Sequence, residues 1–183
     1  TLTVSTAQAT GRVISGAGDV TVNALAANAN LASVSASGTV TANVADDLDY
    51  SANTNIATVD AFVIAANKTG SFSAAQGAKT ITLGSGAIAK VKVLTTSDIS
   101  GTTLSGSVTK IDVSDNATAD LSAAQAQKDI TLGSSAVAKL KVSTSTDVSG
   151  LTFDSDVTEF IVTSGTLTVS TAQATGRVIS GAG

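Results

Sequence analysis

The chain has 183 residues, a net charge of −4 from 10 basic and 14 acidic side chains, and no Pro, Cys, Met, Trp or His. Without Cys there is no disulfide scaffold and no thiolate metal or redox site, and without His the commonest general base and metal ligand is missing. Ten basic residues under a net negative charge leave no nucleic-acid footprint, no apolar run approaches the ~20 residues that cross a bilayer, and a hydrophobic fraction of 43% separates the chain from disordered polar tracts.

Residues 1–18 read TLTVSTAQATGRVISGAG, and residues 166–183 repeat them with all 18 positions identical. The offset of 165 residues predicts one complete module over 1–165 and the start of the next over 166–183, within one continuous repeat array. Ser and Thr number 52, and Val, Ala and Gly are abundant. A thin, uniform core built from Val, Ile, Leu and Ala suits strands better than the bulky core of an ordinary globular domain.

Further along, an apolar residue followed by apolar residues at +3 and +5 recurs. It appears as Ile88, Val91, Val93, then Val108, Ile111, Val113, then Val137, Leu140, Val142, then Val157, Phe160, Val162. Looser anchors fall at Val20, Val40 and Phe62. The intervals run from 20 to 29 residues and predict about seven coils per module. Positions +3 and +5 face inward, and the +2 and +4 residues, such as Lys90, Lys139 and Glu159, face outward. Stacking then sets Lys139 beside Glu159 and runs Lys92, Asp112 and Lys141 along one ladder of alternating sign, with Lys90 against Lys110 as a like pair.

Two segments align without gaps over 73–101 and 122–150, identical at 19 of 29 positions. Weaker copies start at Ser5, Ser51 and Ser170. Corners are expected at Asn30, Asp98 and Asp147, whose side-chain oxygens can accept from nearby backbone N–H groups. Gly84, Gly101, Gly133 and Gly150 are expected to bend the chain through positive φ. The fold class read from these patterns is all-β: a parallel β-solenoid, right-handed because its coils exceed the short hexapeptide type.

Chemistry-bearing constellations are few. Asp46, Asp47 and Asp49, with Asn43 and Asn53, form the densest set of oxygen ligands and are the calcium candidates; a solvated acidic corner is the competing reading. The calcium nonapeptide G-G-x-G-x-D is not present. Asp154 and Asp156 flank Ser155 in a second acidic corner. Thr-x-Thr pairs at Thr1, Thr80 and Thr166 do not recur at one phase in every coil, as an ice-binding face would require. Asn67-Lys68-Thr69 and Asn116-Ala117-Thr118 match the glycosylation tripeptide. No hydroxyl has a partner that would activate it, so no catalytic residue is assigned and no enzyme is expected.

The S-A-A-Q, T-L-G-S and T-D-[IV]-S-G elements, with their V-T-x-φ-x-V strands, resemble the large β-strand-repeat surface proteins and adhesins of bacteria. The resemblance spans the chain and implies secretion to the cell surface, a structural or adhesive role, and no transferred catalytic residues. The expected function is a tandem-repeat building material for an extracellular fibre, sheath or surface layer, joined end to end and packed laterally through its own copies. The alternatives are the stalk of a giant adhesin and a calcium-, glycan- or ice-binding surface.

Overall fold

The computed structural model describes all 183 residues. The chain is an all-β, parallel β-solenoid of about nine turns, with helix limited to four-residue pieces and one short 3-10 turn. It divides into two compact units, Thr1–Val91 with Leu104–Thr109 and Lys92–Thr103 with Lys110–Gly183.

The first unit carries a five-stranded parallel sheet in chain order: Leu2–Ser5, Val20–Asn23, Val40–Val44, Ala61–Ile64 and Thr80–Leu83. A second face stacks Leu48–Asp49, Thr69–Phe72 and residues 88–91, and Ile14–Gly16 pairs with Val34–Ala36. Aromatic rings fill the widest part of its core. Tyr50 stacks on Phe72 at 5.8 Å, and Phe62 tilts against the same ring at 4.8 Å. All three are fully buried, each stabilising the fold by about 1.5–3 kcal/mol through area removed from water.

The second unit stacks Ser97–Asp98, Thr118–Leu121, Val137–Val142, Val157–Val162 and Val178–Gly181 in one parallel sheet. Residues 110–113 pair with Asp129–Leu132, and Thr146–Asp147 with Leu167–Thr168. Ile111, Leu121, Leu140 and Phe160 are its fully buried centre, with Phe153 edge-on to Phe160 at 5.7 Å.

The +3 and +5 positions do point inward: Val91, Val93, Ile111, Val113, Leu140, Val142, Phe160 and Val162 are buried. The two-residue alternation also orients the backbone. Inward residues turn their N–H toward the following coil, as Val20 does to the Thr39 carbonyl, and outward ones toward the preceding coil, as Ile88 does to Lys68 and Val137 to Ala117.

The expected seven or so coils of 20–29 residues per 165-residue module are corrected to about nine turns over the 183-residue chain, and the expected right-handedness is not borne out either. Strand-to-strand register offsets run from 18 (Leu2 to Val20) to 22 (Leu48 to Gly70). The anchors lie on different faces, and this is why their intervals mislead. Phe62 stacks on Ile81, 19 residues on, not on Ile88, which stacks on Thr69. Val137 stacks on Thr118, not on Val108. The longest intervals are thus one turn plus a step to the next face.

A second period explains the drift. Corners stack on corners at separations of 22 to 26 residues, as in Gln173 to Leu151 and Gln125 to Ile99, whereas strands in the same unit mostly stack at 19 or 20. The corner therefore slips forward along the coil by a few residues each turn. In the second unit the strand before the corner lengthens from Ser97–Asp98 to Val137–Val142, and a new strand, Thr146–Asp147, then opens beyond it. Sheets are retired on one side of the corner and begun on the other.

Candidate functional surfaces

Four of the corners are built by a four-residue phrase, Ser-x-x-Gln, at 5–8, 73–76, 122–125 and 170–173. Ser73 caps a short helix, Ala74–Gly77: its Oγ accepts from the Gln76 N–H at 3.3 Å, while Gln76 Oε1 accepts from the Ser73 N–H at 2.9 Å. This capping box satisfies the orphan donors of the first helical turn. It leaves the Gln amide nitrogen free to point down the stack. Gln76 Nε2 donates to the Asn53 carbonyl of the preceding corner at 2.7 Å. Gln125 Nε2 donates to Ile99 and Thr102 at 2.8 and 2.7 Å, and Gln173 Nε2 to Val148 and Leu151 at 2.6 and 2.7 Å. Asn53 Nδ2 does the same to Ala27 and Ala29, and Tyr50 Oη to Leu25. All three of these glutamines are buried, and no buried side-chain polar atom is left without a partner. The phrase was visible in the sequence as a repeated S-A-A-Q; the capping box is the signal that would have read it as a corner joint.

The Asx corners form as expected. Asn30 Oδ1 accepts from Ala32 N–H, Asp98 from Ser100 and Asp147 from Ser149. Asp49, Asn53 and Asp154 make the same turn with Ser51, Asn55 and Asp156. The glycine expectation is corrected. None of Gly84, Gly101, Gly133 and Gly150 has positive φ. A Cβ at Gly84 would lie 2.6 Å from the Ala66 nitrogen, and one at Gly133 2.6 Å from that of Asp115, so these residues are Gly because the neighbouring coil passes close. Positive φ is taken instead by Asn67, Asn116, Gly86 and Ser135, among others.

On the charged faces, Lys139 sits opposite Glu159 at 2.8 Å as expected. Lys110 pairs with Asp129, its register partner. The single ladder through Asp112 and Lys141 does not exist, because the two residues lie on different sheets of the second unit. Asp112 stacks on Thr131, while Lys141 reaches Asp98 at 2.5 Å and Asp120 at 3.9 Å. The Lys141 ammonium and the Ser100 hydroxyl hold the Asp98 carboxyl down to about 2. Burial first, and the Asp46 charge second, push the Tyr50 phenol up.

The calcium candidates are each engaged in the fold. Asp46 pairs with Lys68 at 3.7 Å, Asp47 Oδ1 accepts from the Thr69 N–H at 2.6 Å, and Asp49 Oδ1 accepts from Ser51. Asn43 donates to Asn23, and Asn53 to the preceding corner. No group of three or more acidic side chains converges. Thr3, Thr21 and Thr41 stack in register, and Ala61 interrupts the ladder after three rungs. A recess of about 360 Å³ lies between the corners at 51–59 and 73–79 of the first unit; Ile56, Val59 and Phe62 are among its apolar lining, and Lys79 supplies its one charge. No helix is long and apolar enough to cross a membrane. No known protein family, curated protein or solved structure matches the chain.

Proposed function

We propose that this chain is a structural module, a tandem-repeat solenoid that builds an extracellular fibre, sheath or surface layer on a bacterial cell. It performs no catalysis and needs no cofactor. One observation carries this reading: the buried glutamines of the corners, the side chains an enclosed polar site would draw on, are engaged in joining one coil to the next. Gln76, Gln125 and Gln173 each close their own corner and bond the corner before it. Such a device gains nothing from a unique site and everything from repetition.

Electron microscopy of the native protein tests it. Ordered filaments or sheets are the expected result. Isolated thin rods ending in a distinct head would move the role to the stalk of an adhesin. Compact single particles at every concentration would overturn both.

A further inference from the structure

The second unit closes one of its joints with a cation of its own. Ile179 pairs with Phe160, and Arg177, two residues before that isoleucine, lies over the Phe160 ring at 5.4 Å. Its Nε donates to the Val157 carbonyl at 2.7 Å and its Nη1 to the Gln173 carbonyl at 2.9 Å. One planar guanidinium thus bonds two carbonyls and covers the phenylalanine.

The first unit has the same plan with that cover missing. Ile81 pairs with Phe62, and the residue two before it is Lys79. Lys79 also follows a Ser-x-x-Gln corner, whose Gln76 bonds the Asn53 carbonyl. Here the space stands open, about 360 Å³ walled by Ile56, Val59, Phe62 and Ala75, with Lys79 in the lining. Of the polar lining, Ser51 donates to Asp49, Asn53 to Ala27 and Ala29, and Gln76 to Asn53. Asp60, beside Lys79 in register, accepts instead from the Val40 N–H at 2.9 Å through Oδ2. Lys79 is half-buried, and its ammonium forms no ion pair.

Chemistry selects the occupant. Walls of Ile56, Val59 and Phe62 favour hydrocarbon and leave a sugar hydroxyl or a peptide amide without partners. One unpaired ammonium beside them calls for one negative charge; a dianion would bring a second charge, uncompensated, against an apolar wall. The volume falls in the range of small-molecule sites. We infer that this recess binds a medium-chain monocarboxylate, its carboxylate on the Lys79 ammonium and its hydrocarbon against Ile56, Val59 and Phe62. Binding there is independent of the structural role, since the coil-to-coil bond of Gln76 is already made.

Octanoate titrated into the full chain tests it, by calorimetry and by amide shifts in heteronuclear NMR. Saturable binding at one site per chain is expected, with shifts centred on Ile56, Phe62 and Lys79. Octan-1-ol is expected to bind at least about tenfold more weakly, because it lacks the charge-assisted contact. Lys79→Gln, with an unchanged circular dichroism spectrum, is expected to weaken octanoate by a similar factor and to leave octan-1-ol as it was. Ala75→Phe, at an exposed position on the recess wall, is expected to fill the space and abolish binding of both. No saturable binding, octan-1-ol held as tightly as octanoate, or full octanoate affinity in either variant would each overturn the site. Octan-1-ol that binds only once Lys79 is replaced would mean that the lysine fills the recess as Arg177 fills its own joint, and overturns it too.

Discussion

Residues of one kind do different work in this fold, and the glycines show it. Gly84 has the backbone of Ala65 and Ala66 against the place where its Cβ would stand, at 2.9 and 2.6 Å. Gly101 has nothing within 4 Å and an ordinary φ. Gly84→Ala is therefore expected to cost about 2–3 kcal/mol through forced separation of two coils, and Gly101→Ala to leave the urea midpoint unchanged or slightly raised. Equal effects at the two positions would contradict the close-approach account. Asp98 contributes a pH dependence. Its carboxyl is held low by Lys141 first and Ser100 second, so its contribution is fully present above the unfolded value of about 4 and is lost as pH falls toward about 2. The melting difference between the native chain and Asp98→Asn is expected to shrink across that window; a constant difference from pH 6 to pH 2 would remove the ion pair as its cause. The Asx corners were legible because the side chain bonds two residues along its own chain. The reason for Gly84 was not, since it depends on a segment some 18 residues away that only stacking brings near.

The element that organises the fold is the corner, not the strand. Gln125 accepts from Ser122 and donates to two carbonyls of the preceding corner, and it is 2% exposed. Gln127, two residues on, donates only to the Ala123 carbonyl of its own corner and is exposed. Gln125→Ala is expected to cost about 2–4 kcal/mol, because two carbonyls lose their donor along with the cap, and Gln127→Ala about 0.5 kcal/mol or less. Urea unfolding of the two variants checks the contrast, and similar losses would mean that the bonds between corners contribute nothing. Strands were legible from alternation, as Val91 and Val93 or Leu140 and Val142 demonstrate. The migration of the corner was not. It arises from the difference between a stacking separation of 22–26 residues at corners and mostly 19 or 20 in the strands around them. A search for one period returns a mixture of the two, which is how Phe62 was matched to Ile88 instead of Ile81. For a related reason, closeness in sequence at Asp46, Asp47 and Asp49 says nothing about which strand edge or turn each carboxylate serves.

At the scale of the whole molecule the fold class was legible, because recurring alternation already implies stacked parallel strands. The orientation of the backbone amides was not, since it follows from which face each residue takes. Inward residues address the coil ahead and outward residues the coil behind at Val20, Ile88 and Val137 alike. The two ends of a stack are then chemically unlike. One offers the N–H and C=O groups of inward positions and the other those of outward positions. Because every amino acid has the same hand, the face a strand residue takes fixes which way its amide points, so a stack of parallel coils has a direction and its two edges are not interchangeable.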